Sequence, residues 1–194
     1  MALLAALLLP GFPGRAADPA PPVASNLLPD PVVATHDPTI ITNAALPALA
    51  FPVGEELQYY ILWSGMLVGR TTIITAWAQE DNRPVIKIAI WTRSNKTISK
   101  LYPVNDMIVA LIDPATFRPI RFSVNLKEGK FHRRENTVFD YEKKTATWTS
   151  EVKKKTRTFP IEADTRDLVT FMYFLRSTGF KLGEERNTRV MADD

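Results

Sequence analysis

The segment Ile120-Arg121-Phe122-Ser123-Val124-Asn125-Leu126 alternates apolar and polar residues without a break. Successive side chains of a β-strand point to opposite faces, so this period of two puts Ile120, Phe122, Val124 and Leu126 on one buried face and Arg121, Ser123 and Asn125 on a wetter one. A helix would scatter the same residues around its circumference. Ile86, Ile88 and Ile90 repeat the pattern upstream. Outward from these two segments, the periodicity predicts strands over 57–64, 70–79, 85–93, 107–113, 118–128, 130–141, 145–152 and 156–161. Between them stand Gly65 and Gly69, Asp81-Asn82-Arg83-Pro84, Asp113-Pro114, Glu128-Gly129 and Lys143-Lys144, the residue types of tight turns. Connections this short force antiparallel neighbours, because a parallel crossover needs about a dozen residues or more. The expected fold class is therefore mainly β, an antiparallel meander.

Two helices interrupt it. A short one is predicted over 96–101, stopped by Pro103, and a longer one over 165–177, with Asp164 as N-cap and Gly179 just past its end. The middle of the longer helix, Leu168-Val169-Thr170-Phe171-Met172-Tyr173-Phe174-Leu175, is apolar almost all round. Such a helix needs cover on more than one side, which predicts that it lies in the concavity of a curved sheet.

With 194 residues, 45% of them hydrophobic and 23% charged, the chain has the composition of one ordinary globular domain. It has no cysteine, which excludes disulfides, thiolate zinc sites and a cysteine nucleophile. The net charge of +3 permits an anionic partner without demanding one. Residues 1–16, with the Ala/Leu run from Ala2 to Leu9 and small residues at Gly14 and Ala16, read as a secretory leader too short to span a bilayer. No Lys or Arg precedes the apolar run, a departure from the usual pattern. Residues 17–50 carry seven prolines and read as an extended linker, which leaves 51–194 as the β domain.

Several short motifs make the chain similar to a known family. They are Phe51-Pro52-Val53-Gly54-Glu55, Trp63-Ser64-Gly65 with Gly69, Arg93-Ser94-Asn95, Leu101-Tyr102-Pro103-Val104-Asn105-Asp106, Phe139-Asp140-Tyr141, and Asp167-Leu168 with Tyr173-Phe174-Leu175-Arg176. Through them it resembles the bacterial domain of unknown function 3108 over 51–194. The resemblance implies a periplasmic or envelope protein with a strongly curved antiparallel sheet, similar to the half-barrels of lipoprotein carriers. It carries no catalytic residues. Members of that family continue with further strands where this chain stops, and Gly183-Glu184-Glu185 is expected to restart a strand, as Gly54-Glu55-Glu56 does. The sheet is thus expected to be incomplete at its C-terminal side.

A search for catalytic chemistry finds structural explanations instead. His132 lies between two cations and Lys130, and His36 lies in the linker, so neither has a metal-ligand spacing. No serine stands in Gly-x-Ser-x-Gly or Ser-x-x-Lys, and there is no Gly-rich phosphate loop. Asp164 and Asp167 are explained by a helix start, and Asp106 and Asp113 by turns. No enzyme, cofactor or metal is expected.

Two features admit a functional reading. Between Lys127 and Arg157 ten Lys and Arg stand against five Asp and Glu. On adjacent hairpins this is either a solvated sheet face or, through Arg133, Arg134, Lys153, Lys154 and Lys155, a surface for phosphate-bearing headgroups. Among the aromatic residues, Trp63, Trp77 and Trp91 with Phe171, Met172 and Leu175 either fill a core or line a hydrophobic cavity between sheet and helix. The first expectation is a non-enzymatic periplasmic domain that binds a lipid or lipidated partner in that cavity, with membrane contact peripheral at most and no nucleic acid. The rival is a structural or protein-interaction module of the envelope with a filled core.

Overall fold

The structure, a computed structural model, describes residues 49–179 and 181–191. The expected leader and all of the proline-rich segment except Leu49 and Ala50 lie outside the described residues. Eight strands follow in chain order: β1 (Glu56–Trp63), β2 (Met66–Glu80), β3 (Arg83–Ser94), β4 (Asn105–Ile112), β5 (Pro119–Glu128), β6 (Phe131–Asp140), β7 (Thr145–Ser150) and β8 (Lys155–Pro160). Each pairs antiparallel with the next in one sheet, which is not closed and has β1 and β8 as its edges. The meander forms because each turn is short and holds residues suited to it. Ser64-Gly65 and Asp81-Asn82 put both central residues at positive φ, the twist that matches a right-handed hairpin. β2 starts at Met66 rather than Arg70, because the ladder to β1 continues past a bulge at Ile61/Leu62 to pair Trp63 with Met66.

Directly opposed residues share a face. The register therefore gathers Ile73, Ile88, Ile90, Ile108, Ala110, Phe122 and Val124 on one face, and Arg70, Trp91, Met107, Ser123 and Asn125 on the other. The first is the inner face, where Ile88, Ala110 and Ile112 are fully buried. Further along it, Phe139, Ala146 and Ile161 form a core cluster with Phe122, Tyr141 and Met191 packed against them.

The helix α1 (Leu168–Ser177) sits over this face and begins later than predicted. Asp167, not Asp164, is its N-cap: its Oδ1 accepts from the Thr170 N–H at 2.9 Å and its Oδ2 from the Thr170 hydroxyl at 2.5 Å. Residues 165 and 166 cannot be helical because Arg166 is held extended. Its N–H donates to the Arg189 carbonyl, and its own carbonyl accepts from the Met191 N–H, each at 2.8 Å. Asp164 instead pairs with Arg189 at 2.7 Å. Among the described residues no strand restarts at Gly183, and residues 181–191 contribute the bridge at Val190. The short helix shrinks to a 3-10 turn at Ile98–Lys100, because the Asn95 side chain accepts from the N–H groups of Thr97 and Ile98 and closes the loop first.

The chain before β1 clamps α1 in place. Phe51 is buried edge-on against Tyr173, ring centres 4.8 Å apart, and the Glu55 carboxylate accepts two hydrogen bonds from Arg176 at 2.8 and 2.9 Å. The Thr75 hydroxyl on the inner face accepts from the Gly54 and Glu55 N–H groups. Helix cover is one-sided: Val169, Thr170 and Tyr173 are buried, whereas Phe171, Met172 and Leu175 are half-buried. Tyr173→Ala should therefore cost about 3 to 5 kcal/mol. Phe171→Ala should cost less, about 1 to 2 kcal/mol, by denaturant midpoint.

A polar row crosses the inner face where Thr71, Thr92 and Asp106 lie side by side, the two hydroxyls 2.8 Å apart. Burial pushes the Asp106 carboxyl up to about 6, against the hydrogen bond from the Lys127 N–H and with help from the neighbouring Glu128 carboxylate. A raised carboxyl contributes stability that is full below its ordinary value of 3.8 and is lost as pH rises through about 6. Asp106→Asn keeps the acceptor and drops the charge. Its stability advantage over the wild type should shrink by an amount of order 2 kcal/mol from neutral pH down to the ordinary aspartate range, read from paired denaturant curves.

Candidate functional site

The last three strands continue the inner face with charged and polar rows beside the apolar one. Their register stacks it in rows: Glu135, Ser150 and Lys155, then Thr137, Trp148 and Arg157, then Phe139, Ala146 and Phe159. Along β8 the inner-face residues thus run from cation through cation to aromatic, and Ile161 follows. The bridge of Arg166 to Val190 brings Arg189, Val190 and Met191 over the same strands. A cavity of about 530 Å³ lies between. Its walls include Trp148, Phe159, Ile161 and Met191, and among the described residues its charged lining is Arg133, Lys153, Lys155, Arg157 and Arg189 against one carboxylate, Glu135.

Glu135 organises the charged part. Its side chain is almost fully buried. One oxygen, Oε2, accepts from Arg133 Nε at 2.7 Å and from the Trp148 indole N–H at 3.0 Å, while Lys153 stands 3.8 Å from the other. Burial alone would push the carboxyl up, but the hydrogen bonds from Arg133 and Trp148 and the charges of Arg133 and Lys153 outweigh it, and the net direction is down. Lys153 also lies over the Trp148 ring, 5.7 Å from its centre. Oε1 has no hydrogen-bond partner among the described residues. Arg189 is occupied by Asp164. Lys155 and Arg157 have no acidic partner among the described residues. The site can hold an anionic group beside an apolar wall.

The structure distributes the residues singled out from sequence unevenly. Arg133, Lys153 and Lys155 come together in the cavity. Arg134 does not, because alternation along β6 turns it to the outer face, where it pairs with Glu151 at 3.1 Å. Lys154 sits in the β7–β8 turn at positive φ and stays outside. The expected cavity of Trp63, Trp77, Trp91, Phe171, Met172 and Leu175 is not assembled. Trp63 is 67% exposed at the end of β1, and Trp77 and Trp91 fall on opposite faces. The parity of β3 explains this: Ile86, paired with Trp77, and Trp91 are an odd number of residues apart. Arg157 and Phe159, absent from both groups, were signalled by the same-face order Lys155, Arg157, Phe159, Ile161.

The family motifs have structural duties in this geometry. Phe51 and Glu55 clamp α1, Gly69 lets its strand approach within 2.7 Å of the Arg93 carbonyl where a Cβ would stand, and the Tyr141 hydroxyl donates to the Thr165 carbonyl at 2.7 Å. The family model described as protein of unknown function (DUF3108) matches residues 58–194. The chain belongs to this family. No curated protein and no solved structure matches it. In this DUF3108 domain, then, the quoted motifs hold turns, caps and the helix clamp, whereas of the cavity lining they supply none of the five cations.

Replacing Glu135 by Gln should remove the buried carboxylate that Arg133, Trp148 and Lys153 face, at a cost of about 3 kcal/mol at neutral pH. A lowered carboxyl contributes stability that is full above its ordinary value of 4.5 and is lost as pH falls through its depressed value. The difference between wild type and Glu135→Gln should therefore narrow on acidification below the ordinary glutamate range. Denaturant midpoints of the two proteins across that range check both size and sign.

Proposed function

We propose that this domain is a non-catalytic binding module of the cell envelope whose ligand is an anionic amphiphile, a lipid or the lipid group of a partner, held in the cavity over β6 to β8. The carrying observation is the grading of that cavity, from Lys155 and Arg157, without acidic partners among the described residues, to Phe159, Ile161 and Met191. A headgroup of negative charge finds cations and an indole, while a hydrocarbon chain finds apolar side chains. Its volume of about 530 Å³ is ordinary for a small-molecule site. The apolar leader-like segment Ala2 to Leu9 supports placement in the periplasm.

Mass spectrometry of the full-length protein purified from its own envelope, with lipid extraction, should find a co-purifying anionic lipid. In solution, a fluorescent fatty acid should bind saturably and be displaced by unlabelled fatty acid, but not by the alcohol of equal chain length. Arg157→Glu reverses a cation at the head end and should weaken the probe about tenfold or more. A flat titration, together with lipid-free protein, would sink the proposal and favour the protein-interaction module instead.

A further inference from the structure

The even-handed topology of a meander puts alternate turns at opposite ends of the sheet. At one end lie the β1–β2, β3–β4, β5–β6 and β7–β8 turns. This end carries large apolar side chains pointing into solvent: Leu62, Trp63 and Met66 at 64, 67 and 56% exposure, and Leu101 at 86%, with Tyr102 and Phe131 half-exposed. The turns at the other end, at 81–82, 113–118 and 141–144, carry no large exposed hydrophobic residue among the described residues. Exposed Trp, Leu and Met concentrated at one end are not the scatter of a monomer surface.

The apolar tips are mounted on a fixed rim. Asn95 ties the β3–β4 segment to β2, its side chain donating to the Leu67 carbonyl at 2.5 Å and its N–H to the Val68 carbonyl at 2.9 Å. The Gly129 N–H donates to the Pro103 carbonyl at 2.8 Å, and the Tyr102 ring fills the space where a Cβ on residue 129 would stand, 2.9 Å away. Between the tips stand Lys96, Lys100, Lys127, Lys130 and Lys154, all exposed and without an ion pair among the described residues. Against these five lysines the same turns hold two acids, Glu128 and Glu151, the latter paired with Arg134. The rim is therefore apolar at its points and cationic between them.

We infer that this end of the sheet docks on the surface of a bilayer containing anionic lipid, with Leu62, Trp63, Met66 and Leu101 entering the headgroup boundary and the lysines meeting lipid phosphates. Charge complementarity selects this occupant. A purely apolar protein groove would leave these lysines unmatched, whereas along the chain the turns of this end alternate exposed apolar residues with exposed lysines. That alternation suits an interface in which aromatic rings sit at headgroup level and lysine stems lie along apolar surface with their charges in water. The contact does not rest on the cavity over β6 to β8, which involves other residues except around the β7–β8 turn.

The test uses the full chain and vesicles of phosphatidylcholine alone or mixed with phosphatidylglycerol. The protein should sediment with the anionic vesicles and much less with the neutral ones, and added salt should release it. Trp63→Glu with Leu101→Glu, and separately Lys96→Glu with Lys100→Glu and Lys130→Glu, should each weaken sedimentation about tenfold or more. Arg83→Glu with Lys144→Glu, at the opposite end, should bind as the wild type does. Trp63→Phe should keep binding but lose much of the quenching of tryptophan emission by brominated lipid, a readout independent of whether the charged variants fold. Failure of the wild type to prefer anionic vesicles, equal loss from the opposite-end variant, or unchanged quenching in Trp63→Phe would each overturn the inference. A partner protein cross-linking through position 63 without vesicle binding would assign the end to protein instead.

Discussion

A slip of one residue in the β6–β7–β8 register would turn Trp148, Arg157 and Phe159 away from Glu135 and abolish the cavity as a chemical object. The period of a strand is two, so such a slip moves every side chain to the other face. Two features hold the register. The short turns at 141–144 and 151–154 leave no slack, with Asp140 accepting from the Lys143 N–H at 2.9 Å and Ser150 Oγ from the Lys153 N–H at 3.2 Å. The core cluster of Phe139, Ala146 and Ile161 penalises any shift that would expose it, since burying a Phe or Ile side chain is worth about 1.5 to 3 kcal/mol. The site's charge gradient therefore depends on packing at its apolar end.

The same economy governs α1. With only Val169, Thr170 and Tyr173 fully buried, the helix has a narrow apolar contact, and ten residues are too few for it to be stable alone. What fixes it is the local Asp167 cap and the chain before β1, through Phe51 on Tyr173 and Glu55 on Arg176. The last two contacts join residues more than a hundred positions apart, so the helix depends on the sheet to place its partners.

Fold and site were unequally legible for a physical reason. Strands and turns are local: the alternation of Ile120 to Leu126 and the turn pairs at 81–82 and 64–65 contain the meander by themselves. The helix start was misplaced because Arg166 is held extended by residues 189 and 191, a non-local hydrogen-bond pair that no local pattern announces. The cavity was half-visible. Parity within one strand separates Arg133 from Arg134 and lines up Lys155, Arg157 and Phe159, but only the pairing of three strands puts Trp148 between Glu135 and Arg157. Grouping aromatic residues by type rather than by face joined Trp63, Trp77 and Trp91, which the sheet keeps apart.

Glu135 gives the site its most specific physical character. A buried carboxylate costs free energy unless it is paired, and this one takes Arg133 and the Trp148 N–H through one oxygen while leaving the other without a hydrogen bond. A cavity built only to trap an anion would omit it. Its presence means that an anionic headgroup arriving beside Lys153 competes with a resident carboxylate for the same cations, and repulsion between the two anions subtracts from the attraction of Lys155 and Arg157. The second oxygen is itself buried, so Glu135 acts on a headgroup through its charge rather than through a hydrogen bond. If the cavity takes an anionic amphiphile as proposed, Glu135 tempers the attraction for its head and leaves discrimination between ligands to Lys155, Arg157 and the apolar wall.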